Sequence, residues 1–303
     1  MVPGAVLLFT QLFALAAMAQ GPTPATYVGE KVCAACHVAE NGQFGHTLHA
    51  KVFRLNPKNE TEKRVCEACH GPGSSHVRNP TDREGLIGFT REWGTPIEKQ
   101  NEVCLTCHQG GERLHWPGST HATARLGCAD CHNPMARISG NALLKKLNVT
   151  ETCETCHAQQ RAEFRKRSHM PVPEGKMSCA DCHNPHGSIT RPLLKADSIN
   201  EVCYACHAER RGPLLWEHAP VRESCMNCHH PHGSNHDKLL QAAPPFLCQQ
   251  CHGNPAHPSI LYNAGQSLGG GAAANSRVLG RSCQVCHSQI HGSNHPGGAR
   301  FQR

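Results

Sequence analysis

Two cysteines three positions apart, followed at once by a histidine, recur ten times along this 303-residue chain. The sets are Cys33, Cys36 and His37; Cys66, Cys69 and His70; Cys104, Cys107 and His108; Cys128, Cys131 and His132; Cys153, Cys156 and His157; Cys179, Cys182 and His183; Cys203, Cys206 and His207; Cys225, Cys228 and His229; Cys248, Cys251 and His252; and Cys283, Cys286 and His287. They consume all 20 cysteines, so none is left for a disulfide. On one helical turn, thiols at this spacing add to the two vinyl groups of a porphyrin, and the adjacent imidazole falls on the iron as its proximal ligand. Cys-x-x-Cys alone also serves zinc knuckles and redox thiols. The histidine after every pair decides for covalent haem c, ten groups per chain.

Ten proximal ligands leave 14 of the 24 histidines. One of these recurs before the second motif of successive motif pairs: His49, His121, His169, His218 and His257. Another recurs just after that motif: His76, His186, His232 and His291. These nine are the candidate distal ligands, which would make the irons six-coordinate and suited to electron transfer rather than to binding a substrate. His76 in Gly73-Ser74-Ser75-His76 aligns with either class. The tenth place falls at Met135, where Asn133-Pro134-Met135 replaces Asn-Pro-His. Either the Met135 thioether gives one His/Met haem of raised potential, or a histidine substitutes. His115 is the first choice, followed by His46, His236 and His295. His236 and His295 share a Gly-Ser-Asn-His context and should share a role outside the iron, such as bonding to haem propionates. His230 follows proximal His229 directly and points elsewhere.

The polypeptide that must position these ligands is only 38% apolar and 5% aromatic, so it cannot supply a conventional core for its length. Porphyrins would provide the missing apolar surface. The fold expected is a multihaem cytochrome c of short α-helices and loops, without a sheet, wrapped around a quasi-linear row of ten haems. The motifs read as five two-haem repeats, at about 33–76, 104–135, 153–186, 203–236 and 248–295. Repeats unable to bury their own faces stack on their neighbours. Each motif is placed on a short helical turn, with further helices at 61–70, 162–169 and 210–218. Residues 77–102 and 253–282 read as surface loops, and 297–303 as a frayed tail.

Residues 1–19 are largely apolar and end in Ala17-Met18-Ala19, which reads as a cleaved secretory signal. The mature domain would then occupy 20–303 outside the cytoplasm. No later stretch suits a membrane helix or a series of barrel strands, so an outer-membrane location would have to come from a partner. The formal charge of +7 resembles a polyanion binder. Ten ferric haems with ionised propionates would bring it to about −3, so nucleic acid is not an expected partner, and many Lys and Arg are better read as propionate partners. The basic run Arg161, Arg165, Lys166 and Arg167 reads equally well as a solvated helical face.

Over residues 27–296 the chain resembles the periplasmic decahaem cytochromes of the MtrA/DmsE type. The resemblance rests on the ten motifs together with Cys104-Leu105-Thr106-Cys107-His108-Gln109-Gly110-Gly111, Leu215-Trp216-Glu217-His218-Ala219-Pro220, Phe246-Leu247-Cys248-Gln249-Gln250-Cys251-His252 and Ser288-Gln289-Ile290-His291-Gly292-Ser293-Asn294-His295. It implies a cytochrome threaded through an outer-membrane β-barrel porin. Such a protein takes electrons from periplasmic or inner-membrane cytochromes and passes them to an extracellular multihaem cytochrome, for metal oxide or dimethyl sulfoxide respiration. The same wire could run inward for iron oxidation. Two other readings compete: a soluble periplasmic shuttle or electron store, and a multihaem reductase of a small oxyanion. The reductase needs an open iron position, which a surplus of histidines argues against.

Overall fold

In each motif the histidine amide donates to the carbonyl of the first cysteine at 2.9–3.0 Å, closing one turn of helix in all ten cases. A single turn carries positions i and i+3 on one face, so both thiols of a motif face the same way. The computed structural model describes residues 24–252 and 282–301. Among the described residues the regular structure is short helices and 3₁₀ turns, with five isolated β-bridges and no strand or sheet. No helix among them is long and apolar enough to cross a membrane.

The described chain divides into two units, one built from residues up to Val38 and from Val52–Ile87, the other from Ala39–Lys51 and from Gly88 onward. In the first, buried Glu67 accepts the amides of Val28, Gly29 and Gly73 at 2.8–3.1 Å and ties the segment before the first motif to the second. In the second, a polar residue three places before a motif does the same work. Asn101 accepts the Cys128 amide at 2.8 Å and donates to the Leu126 carbonyl. Asn200 accepts the Cys225 amide at 2.7 Å and donates to the carbonyls of Val221 and Arg222 at 3.0 Å. The helices that carry Cys153 and Cys203 start on side-chain caps, Asn148 for Val149–Glu154 and Ser198 for Ile199–Tyr204.

After the second motif of a pair the chain turns back through a left-handed residue, Leu143, Leu193 or Leu239. It then forms antiparallel bridges His132 to Leu144, His183 to Leu194 and His229 to Leu240. Those three leucines are buried, in a set of buried apolar side chains that is otherwise small.

Local expectations change in several places. The helix expected at 61–70 is two turns, Glu60–Lys63 and Glu67–His70, separated by Val65 at φ 53°. The helix expected at 162–169 is Ala158–Glu163, because Ser168 leaves the helix to bridge Ser234. At 210–218 there is only a 3₁₀ turn, Ala208–Arg210. Gly212 at φ 84° and Pro213 stop the helix, and Trp216 is drawn out to bridge Ser293. The segment 77–102, read as a loop, holds a 3₁₀ turn at Arg91–Trp93 and the start of helix Ile97–Leu105. Residues 297–301 are packed rather than frayed: Phe301 lies 5.1 Å from the His218 ring, and its carbonyl accepts the Gln289 amide.

Candidate haem-ligand sites

The fold brings motif histidines close to histidines from elsewhere in the sequence. Ring centroids are 6.3 Å apart for His37 and His76, 5.8 Å for His108 and His49, 6.2 Å for His157 and His121, and 6.0 Å for His132 and His186. They are 6.2 Å apart for His183 and His232, 6.1 Å for His252 and His218, and 6.1 Å for His229 and His291. A metal held between two imidazoles at bonds of about 2 Å each puts the centroids about 6 Å apart. These seven pairs therefore have the spacing that one iron between them requires.

The motif pairs are also adjacent in space. The first cysteines of paired motifs lie within hydrogen-bonding reach: Cys33 with Cys66, Cys104 with Cys128, Cys153 with Cys179, Cys203 with Cys225, and Cys248 with Cys283. Between successive pairs of the second unit the second cysteines lie near one another, Cys131 with Cys156, Cys182 with Cys206 and Cys228 with Cys251. Motif therefore follows motif in chain order there, with two kinds of junction alternating.

Each second-motif histidine has its tautomer fixed by the loop that follows it. Nδ1 of His70 contacts the Ile87 carbonyl at 2.9 Å, His132 that of Ala142 at 2.7 Å, His183 that of Pro192 at 2.8 Å, and His229 that of Lys238 at 2.8 Å. His287 makes the same contact with Arg300. A carbonyl can only accept, so Nδ1 carries the proton and Nε2 keeps the lone pair that a metal needs. His121 is held likewise by the Pro185 carbonyl at 2.7 Å, His218 by Ile290 at 2.9 Å and His76 by Asp82 at 3.1 Å. Burial is the main reason that the His49, His186, His232 and His291 imidazoles lie below their usual pKa range. It also lowers His70 and His108. Burial thus favours the neutral form, which is the ligating one.

The Pro-His-Gly-Ser turn owes its glycine to a close approach. Gly187 has φ 118°, and a Cβ there would sit 2.2 Å from the His115 carbonyl. Gly233 has φ 153°, and a Cβ would sit 2.0 Å from the Glu163 carbonyl. The turn itself is tied by Asn184, whose Oδ1 accepts the His186 amide at 3.1 Å, and Asn133 does the same for Met135 at 3.1 Å. Met135 is thus half-buried in the same local turn as His186, but Ala136 stands where the glycine would be. Sequence reasoning does not reach the clamps Glu67, Asn101 and Asn200. The signal was present: Asn101, Thr150 and Asn200 each stand three residues before a motif, and Thr150 also bonds the first cysteine of the next motif, Cys179.

The other candidate histidines are placed differently. His169 is bonded at both nitrogens, Nδ1 to the Lys166 carbonyl at 2.7 Å and Nε2 to Glu174 at 3.0 Å, and the Glu174 bond raises its pKa. His115 and His46 are exposed. His236 and His295 occupy equivalent turns, each amide donating to the serine two residues before, Ser234 or Ser293, at 3.0 Å. His230 Nε2 lies 3.9 Å from Glu163. In the basic run, Arg167 pairs with Asp237. His257, the expected loop at 253–282 apart from its last residue, and the expected signal at 1–19 lie outside the described residues.

Comparison with known proteins points the same way. A model of a doubled CXXCH motif matches residues 121–162, 169–212 and 218–257, and a model of the cytochrome c-type protein NrfB-like family matches 66–140. The chain is 48% identical to the multiheme cytochrome MtrA of Shewanella baltica over 238 residues, covering 78% of this chain and 70% of that protein. It is 30% identical over 164 residues to the cytochrome c-type protein NrfB of Haemophilus influenzae, covering 48% of this chain and 72% of that one. It is 25% identical over 189 residues to the C-type polyheme cytochrome OmcB of Geobacter sulfurreducens, covering 56% of this chain and 22% of that protein.

Proposed function

Since the chain belongs to the MtrA-type multihaem c-type cytochromes, electron-transfer proteins that bind haem c, we propose that it carries ten haems with two axial ligands each and conducts electrons across the outer membrane inside a porin partner. The observation that carries this reading is the set of seven facing imidazole pairs at 5.8–6.3 Å, whose members come from different stretches of the chain. Two imidazoles per iron leave no position for a substrate, which favours transfer over catalysis.

Haem c, when bound, supplies a one-electron iron couple. The protein's part is to hold the iron's ligands in both oxidation states with little rearrangement. The cysteine pair on each one-turn helix would hold the haem covalently. Backbone carbonyls on Nδ1 fix ring tautomer and orientation, so that Nε2 faces the metal without a conformational search. The alternating thiol junctions of the second unit support passage from motif to motif in chain order.

In this reading residues 1–19 direct export and are removed, the mature protein lies in the periplasm and enters an outer-membrane barrel, and periplasmic or inner-membrane cytochromes supply its electrons. An extracellular multihaem cytochrome takes them on for metal oxide or dimethyl sulfoxide type acceptors, or the flow reverses for iron oxidation. Fractionation of native cells tests it, by following haem-stained protein and identifying what stays bound after detergent extraction of the outer membrane. A stoichiometric β-barrel partner is expected. Recovery in the soluble periplasm without one would replace the conduit by a shuttle.

A further inference from the structure

Glu163 closes the helix Ala158–Glu163 and is only 8% exposed. Its Oε2 lies 3.4 Å from His232 Nδ1, and its Oε1 lies 3.9 Å from His230 Nε2 and accepts from Gln159 Nε2 at 3.3 Å. Among the described residues the basic side chains recorded within 4 Å of its carboxylate are these two imidazoles. A buried carboxylate set against imidazoles and an amide is costly unless positive charge is delivered to it. The centre that His232 faces is the one that would deliver it.

The repeat supplies its own comparison. His186 and His232 occupy the same Pro-His-Gly-Ser turn, and the glycine after each lets a backbone carbonyl from an earlier repeat approach closely. That carbonyl belongs to His115 at the His186 turn and to Glu163 at the His232 turn. The fold therefore presents one position twice, once with an exposed imidazole and once with a buried carboxylate. At His186, Nδ1 is buried and meets no hydrogen-bond partner among the described residues. At His232, Nδ1 faces Glu163.

We propose that Glu163 is a positioning residue for the imidazole of His232, and that its carboxylate lowers the reduction potential of the iron that His183 and His232 would hold. This rests on the reading of His232 as an iron ligand. With Nε2 on the metal, Nδ1 keeps its proton and donates it towards Oε2. The ring gains imidazolate character, becomes a stronger donor and favours the ferric state. Phe164 packs 5.4 Å from the His232 ring on the same side as the largely buried carboxylate.

Spectroelectrochemical titration of the holoprotein, with low-temperature electron paramagnetic resonance at each step, tests the proposal in a graded series. Glu163→Gln keeps the shape and removes the charge, so one haem's share of the titration should move to higher potential while low-spin ligation and the other haems stay as they are. Glu163→Asp draws the charge back by one methylene and should move the same share by a smaller amount, giving a measurable shift even where the Gln variant accumulates poorly. A structural role alone would not order the two variants this way. Titrations of both variants that superimpose on the wild type, with ligation intact, would overturn the inference. His232→Met separates this outcome from failure of the ligand reading: no conversion of a haem to His/Met ligation would show that His232 is not on the iron, whatever Glu163 does.

Discussion

The ring centroids of His49 and His108 lie 5.8 Å apart with their planes at 87°, whereas those of His229 and His291 lie 6.1 Å apart with their planes at 12°. Perpendicular imidazoles donate equally into both iron dπ orbitals and leave them nearly degenerate. Parallel ones split them. The oxidised protein should therefore give at least one strongly anisotropic low-spin resonance with a large maximal g value, alongside ordinary rhombic signals. His49→Ala should abolish the former and leave the signals of the near-parallel pairs unchanged. Retention of the large-g signal in that variant would rule out His49 as its source.

His186 offers a second test through ligand chemistry. Its ring lies 6.0 Å from that of His132 and 14° from parallel. A thioether is a weaker donor to ferric iron than imidazole, so His186→Met should raise the potential of one haem and leave the rest low. The redox titration should lose one low-potential component and gain a separate high-potential one. An unchanged titration would mean that His186 is not on the iron.

The ligand inventory was legible because its chemistry is local. Two thiols and an imidazole need only one helical turn, and ten such turns appear. Recurrence also picked out His121, His186, His218, His232 and His291 as one residue class or the other. What the sequence could not give was which histidine faces which. His232 stands next to the motif ending in His229 yet faces His183, because the Gly233 turn docks on Glu163 of an earlier repeat. The helix expected at 210–218 failed for a related reason: Trp216 exchanges backbone hydrogen bonds with Ser293, a distant partner that local propensity does not register.

Asn200 should matter more to stability than its polarity suggests. Its Oδ1 takes the Cys225 amide at 2.7 Å and its Nδ2 serves two carbonyls, all within a largely buried setting. Asn200→Ala leaves those backbone groups unsatisfied, at a cost of about 1–3 kcal/mol. Thermal unfolding of the holoprotein should show a lowered midpoint. The exposed substitution Gln109→Ala, by contrast, should stay within about 0.5 kcal/mol of wild type.

Gly233 and Gly118 separate conformational strain from collision. Both have positive φ, 153° and 81°, but a Cβ at Gly118 meets nothing within 4 Å. Gly118→Ala should cost only about 1 kcal/mol from its backbone conformation. Gly233→Ala adds a Cβ 2.0 Å from the Glu163 carbonyl, and the backbone must part to admit it, raising the cost to on the order of 3 kcal/mol or more. The loss should include the Ser168–Ser234 bridge beside it, so amide exchange at Ser168 and Ser234 should accelerate in the second variant and not in the first.

Removal of the haems should be the most severe change of all. Buried apolar side chains among the described residues are few and dispersed, chiefly Phe44, Val65, Trp116, Phe164, Val172 and the three bridge leucines. Large apolar side chains such as Val38, Leu48, Leu114, Ile189 and Leu215 are exposed on the polypeptide. At about 25 cal/mol per Å² of apolar area, so sparse a core cannot offset roughly 1–2 kcal/mol of backbone entropy per ordered residue. The porphyrin faces must supply the difference, and ligand binding becomes folding free energy. Chain made without haem attachment should therefore show little cooperative unfolding and be digested rapidly by trypsin, while the holoprotein resists it. A cooperative thermal transition in the haem-free chain would show that the short turns and their polar clamps suffice to hold the fold.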